Sequence, residues 1–176
     1  MLLSDLYQAT SSEKNNVDYL EQNGPIKCVS NPWLGDGYYF WSKYYEHAEW
    51  WGKNHYNGNY YIFKACIDEA KAKVFDLYND SEEKEYLIEV MENHSFKTVQ
   101  ATIFFLNKHS KTFDYNVIIA HTPGCGAPEE PIHFVSNNKS TFTYKKPAIQ
   151  VCVNDKSIVK QYFCVYPDDC CQIDFV

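Results

Sequence analysis

Apolar and polar positions change period several times along the chain. Residues 6–10 (Leu-Tyr-Gln-Ala-Thr) alternate as a first strand, and Ser11-Ser12 then offers a helix N-cap ahead of an apolar stripe at Val17, Tyr19 and Leu20. Gly24 stops that helix, and Pro25 begins a loop that carries Pro32. Gly35-Asp36-Gly37 predicts a tight turn, followed by the aromatic strand Tyr38, Tyr39, Phe40, Trp41. Tyr44, Ala48, Trp51 and His55 then recur at helical spacing until Asn57-Gly58-Asn59 ends the run. Residues 60–66 read as a core strand and 74–77 as a short one. Asp80, with Glu83 three positions on, predicts a capped helix carrying Leu87, Val90 and Met91, and another helix is expected over 98–109.

Beyond residue 109 the helical period disappears. Short strands are expected at 116–121, 132–135, 141–144, 150–153 and 161–165, separated by Pro, Gly or polar turns. Helices toward the amino end and strands after them predict an α+β fold with a split, mainly antiparallel sheet. No repeat or linker divides the 176 residues, so a single domain over 1–176 is expected.

Composition sharpens this picture. Aromatic residues make up 17% of the chain, with 15 Tyr and 11 Phe, which favours strands and ring-lined clefts over a helical bundle. The net charge is −7, so the overall field repels nucleic acid, and the basic pairs near Lys108 and Lys145 are too small for a nucleic-acid footprint. Every basic residue is Lys, so an anion would be held without the guanidinium fork. Seven Cys without an apolar leader predict reduced thiols, and the first six residues predict neither secretion nor a membrane span, so the cytoplasm is the expected compartment.

The candidate chemistry gathers at the glycine turn and its aromatic strand. If the strand and the following helix fold toward one another, Tyr39 and Trp50 line a cleft that suits a planar nicotinamide or nucleobase, at roughly 1 kcal/mol per ring contact. A plain turn with a core strand is the competing reading. Cys125 with His121 or His133 is a second candidate, as a thiol nucleophile with its base, in a turn that equally suits an ordinary loop. Neither His121 with Cys125, nor Cys170 with Cys171, nor Cys152 with Cys164 repeats as the paired short ligand spacing of zinc, so no metal is expected. The acidic helix 80–92 reads as a solvated face.

Four segments in order carry a resemblance: Leu6-Tyr7-Gln8-Ala9-Thr10-Ser11, then a helix ending Tyr19-Leu20-Glu21-Gln22-Asn23-Gly24, then Gly35-Asp36-Gly37-Tyr38-Tyr39-Phe40, then Ala48-Glu49-Trp50. In this order they resemble the ADP-ribosyltransferase fold, in its diphtheria-toxin and poly(ADP-ribose) polymerase-like branch. The resemblance covers the first third of the chain and, loosely, the strands around Gln150 and Tyr162. It implies NAD as substrate, with Tyr39 under the nicotinamide, Trp50 as a second stacking ring, Ala48 leaving the ligand room, and Gly37 in the glycine motif. Gln8 stands where the family has a histidine, Ala9 replaces the glycine whose backbone holds the nicotinamide amide, and Gln150 takes the late-strand acidic position. Glu129, Glu130 and Asp155 are the other carboxylates that could supply that acid. A glutamine keeps a hydrogen bond to a ribose hydroxyl but offsets no charge on a ribosyl cation. The implied function is therefore mono-ADP-ribosyl transfer to a macromolecular acceptor, a protein, with Gln150 and Tyr39 at the reacting bond. The alternative is a degenerate module that binds NAD, ADP-ribose or a protein partner without turnover.

Overall fold

The computed structural model describes residues 3–14, 16–122, 125–136 and 139–167, and the side chains of 133–136 and 139–142 are left out of the description. Cys170 and Cys171, the side chain of His133, and Pro123 and Gly124 of the expected turn lie outside the described residues.

Strands β1 (Leu6–Ser11), β2 (Tyr38–Ser42), β3 (Tyr60–Ile67), β4 (Val74–Asp76), β5 (Val117–His121), β8 (Ile149–Val153) and β9 (Val159–Tyr166) form one sheet in the order β4-β5-β8-β2-β1-β3-β9. Every neighbouring pair is antiparallel except β4 with β5. β6 (Pro131–Ser136) and β7 (Lys139–Tyr144) form a separate hairpin. The helices are α1 (Val17–Asn23), α2 (Tyr45–His55), α3 (Ser81–Asn93) and α4 (Val99–His109), so the α+β class and the mainly antiparallel sheet hold.

The expected split survives only as a local feature of a continuous sheet. β1 pairs with β3 at six register positions but with β2 at two, Leu6 with Ser42 and Tyr7 with Trp41. From Gln8 onward β1 and β2 part.

Alternation along the strands sorts the core into two faces. One face carries Leu6, Phe40, Ala65, Val117, Ile119, Val151 and Val153, closed by Leu3 and Ile158. α1 covers the same face farther along, where its single buried side chain, Leu20, meets Phe63 and Cys164. On the opposite face α2 lies over Ala9, Trp41 and Ile62, while α3 and α4 lie over Phe75, Ile118, Ala120 and Cys152.

Local capping explains where the helices begin. Asp80 accepts from the backbone N–H groups of Glu82 and Glu83, as the sequence predicts, and Thr98, expected as the first helical residue, instead caps α4 through Ala101 N–H. Ser11-Ser12 does not cap α1. Ser11 instead completes β1 opposite Tyr60, and Asn16 Oδ1 accepts from Tyr19 N–H at 2.7 Å. Among the described residues, no helix is long and apolar enough to cross a membrane.

Candidate functional site

The parting of β1 and β2 leaves backbone groups without a strand partner, and Gln8 bridges the gap. Its Nε2 donates to Ile26 O at 3.0 Å and to Tyr39 O at 3.2 Å, while its Oε1 accepts from Ile26 N–H at 3.0 Å and from the Tyr162 hydroxyl at 2.9 Å. Cys28 N–H then donates to Gly37 O at 2.9 Å, so residues 26–28 run into the wedge beside β2. A carboxamide has two N–H donors and an oxygen with two lone pairs; a neutral imidazole has one donor and one acceptor. Glutamine at this position therefore makes four internal bonds where a histidine could make two. Gln8 is buried with its hydrogen-bonding capacity spent inside the fold, and a ribose could reach it only by displacing one of those partners.

Tyr39 and Trp41 project from β2 toward the α2, α3 and α4 side, and their cross-strand neighbours Cys152 and Gln150 project with them. The Tyr39 hydroxyl donates to Gly35 O at 2.8 Å and accepts from Leu34 N–H at 2.7 Å, which ties the glycine turn to the strand. Gly35 has φ +100°, a conformation that glycine adopts without penalty. Trp50, half-buried, meets Trp41 edge-on at 6.4 Å between ring centroids. Ala9 and Ala48 are buried in the same apolar cluster as Trp41. Five expected site residues thus share one face: Ala9, Tyr39, Ala48, Trp50 and Gln150. Gln8 lies on the other face, and Gly37 sits in the turn with its Cα hard against β8.

Gln150 is not free either. Its Oε1 accepts from the Trp33 indole N–H at 2.6 Å. Trp33 is the aromatic residue the sequence reading missed, and its place just before the glycine turn was the available signal.

The three other carboxylates differ in setting. Glu130 and Asp155 are exposed, bonded to Lys145 and to Ser157. The Glu129 side chain is 7% exposed, and its Oε1 accepts from His121 Nε2 at 2.6 Å and from Ala148 N–H at 2.7 Å. Cys125 Sγ faces Thr122 Oγ1 at 3.6 Å, while His121 is committed to Glu129. Among the described residues, no group of three His, Cys, Asp or Glu side chains could hold a metal ion.

A cavity of about 240 Å³ opens between Asp36, Asn107, Asn116 and Asn154, floored by Cys152. It adjoins the glycine turn and does not include Trp50.

Burial around Tyr39 predicts a specific alkaline response. Desolvation pushes the Cys152 thiol from 9.0 up to about 12, and burial raises the Tyr39 and Tyr162 hydroxyls well above their usual 10. In the unfolded chain these groups lose their protons near the ordinary values, while the folded state retains them. Stability should therefore be fully present below pH 9 and fall as pH rises, steepening above 10, at about 1.4 kcal/mol per pH unit for each group in its window. Urea titrations between pH 8 and 11 measure this, and Cys152→Ala should remove the earliest part of the decline.

Comparison with known proteins found no match to the chain among family models, curated proteins or solved structures.

Proposed function

We propose that the chain is a degenerate ADP-ribosyltransferase-like module that binds NAD or ADP-ribose on the ring-bearing face beside α2 and does not turn it over. The supporting observation is that Tyr39, Trp41 and Trp50 lie on one face of the sheet, Trp41 and Trp50 in edge contact with the small residues Ala9 and Ala48 beside them and Tyr39 in the neighbouring cluster. Turnover is disfavoured by the chemistry of the same positions. Stabilising a ribosyl cation calls for a nearby negative charge. Gln150 has none and its Oε1 already accepts from the Trp33 indole N–H, while Gln8 is saturated.

Calorimetry with NAD and with ADP-ribose tests this reading. Both should bind, and Trp50→Ala should weaken binding about tenfold, the value of one stacking contact. Absence of affinity for either ligand would reject it.

Glu129 favours a second reading, NAD-dependent mono-ADP-ribosyl transfer to a protein acceptor. It is a nearly buried carboxylate bonded to Ala148 N–H, next to the cluster that holds Trp41. Incubation with labelled NAD and a lysate separates the readings: label on protein that Glu129→Gln abolishes supports transfer, and no label with no nicotinamide release supports binding alone.

A further inference from the structure

Residues 125–130 meet the α2 side of the fold through Gly126 at Trp50, Ala127 beside Ala48 and Pro128 at His47. Gly126 lies against the Trp50 indole so closely that a Cβ there would come within 2.9 Å of Cζ2, and its φ is +90°. Ala127 is buried with Trp41 and Ala48, whereas Cys125, Gly126 and Pro128 are exposed. Apart from the local Cys125–Thr122 contacts, the polar attachments fall at the 128–130 end. His47 Nε2 lies 3.0 Å from Pro128 O, and Glu129 is bonded to His121 and Ala148.

We infer that residues 125–130 form an occluding strap, latched by His47, which must lift from Trp50 before a planar ligand can stack there. This inference rests on the ring-binding reading above for the identity of the ligand, but not for the occlusion itself.

The latch carries its own weakness. A carbonyl oxygen requires a donor, so His47 Nε2 carries the proton and Nδ1 is left as an acceptor. Nδ1 is buried and has no hydrogen-bond partner. Burial holds the His47 pKa below its usual value despite the nearby carboxylates of Glu129 and Glu46, with Lys146 adding to the depression, so the ring is neutral at neutral pH. Closing the strap thus makes one hydrogen bond and strands another polar atom, whereas lifting it would let water reach both. Trp41 and Tyr44 pack their rings around His47 without bonding Nδ1, and the Tyr44 hydroxyl donates to Lys145 O instead. An element closed on such terms is suited to opening.

The test measures acrylamide quenching of Trp50 fluorescence, assigned by difference from Trp50→Phe, in the full chain carrying Gly126→Ala or His47→Leu. Gly126→Ala forces the strap away from the indole. His47→Leu removes the latch together with the stranded Nδ1, so it releases the strap without leaving a buried unpaired side-chain group. Folding is checked by far-UV dichroism, and either folded variant suffices. Quenching of Trp50 should rise, with tighter NAD binding by up to about tenfold if the strap is mostly closed in the wild type. Unchanged Trp50 quenching in a folded variant would overturn the strap. Increased quenching without NAD affinity in any variant would support the strap and reject the ligand reading instead.

Discussion

Replacing Gln8 by leucine is expected to cost about 4 kcal/mol, a large part of the 5–15 kcal/mol that holds a domain of ordinary stability. Leucine nearly preserves the volume, so the loss comes from polar groups. Ile26 N–H and C=O, Tyr39 C=O and the Tyr162 hydroxyl each lose a partner, at about 1–3 kcal/mol for each that water cannot reach. Ile26 is 38% exposed, so its own groups would partly rehydrate, which keeps the total toward the lower end of that sum. Gln8→His should fall between wild type and leucine, because one donor and one acceptor can serve only two of the four partners. Urea denaturation gives the order. Alkylation of Cys28 should also accelerate in the leucine variant, because residues 26–28 would lose their tie to β1. Equal stability of all three proteins would mean that Gln8 is not the bridge between β1 and β2, and would return it to the role of a ligand contact.

Much of this arrangement was readable one element at a time. The period at 98–109, the Asp80 cap and the breaker at residues 57–59 are local signals, and the helices follow them to within a residue. The Ser11-Ser12 cap failed because a longer-range demand won: Ser11 completes the pairing of β1 with β3. Site chemistry was harder to read for the same reason. That Gln8 must bridge a gap depends on β1 and β2 parting after Tyr7, which no window of either strand reveals. Trp33 and Gln150 lie 117 positions apart, and the aromatic density around residue 40 gave no indication which ring would meet which amide. Gly126 against Trp50 is another such contact, made by a loop whose sequence reads only as a turn. Five of the residues that the resemblance names share one face, but it could not say which polar groups were already engaged.

Gly37→Ala provides the sharpest separation between a glycine kept for a ligand and one kept for the fold. A Cβ at Gly37 would lie 2.5 Å from Val153 O and 2.7 Å from Cys152 Sγ. The first obstacle is backbone, held in the β2–β8 ladder where Tyr38 pairs with Val153, so no side-chain rotation relieves it. The substitution should therefore spread β2 from β8 at the turn and disturb the Tyr39 hydroxyl bonds to Leu34 and Gly35, costing about 3 kcal/mol or more. Gly58→Ala supplies the control. Its φ of +82° imposes strain, but nothing lies within 4 Å of the added methyl, so the cost should stay near 1 kcal/mol. Thermal and urea melts without any ligand decide the matter. A Gly37→Ala protein as stable as wild type, with altered NAD affinity alone, would assign the glycine to ligand approach. A large loss of stability in the absence of NAD would show that the spacing between β2 and β8 demands glycine there, whatever binds at the rings.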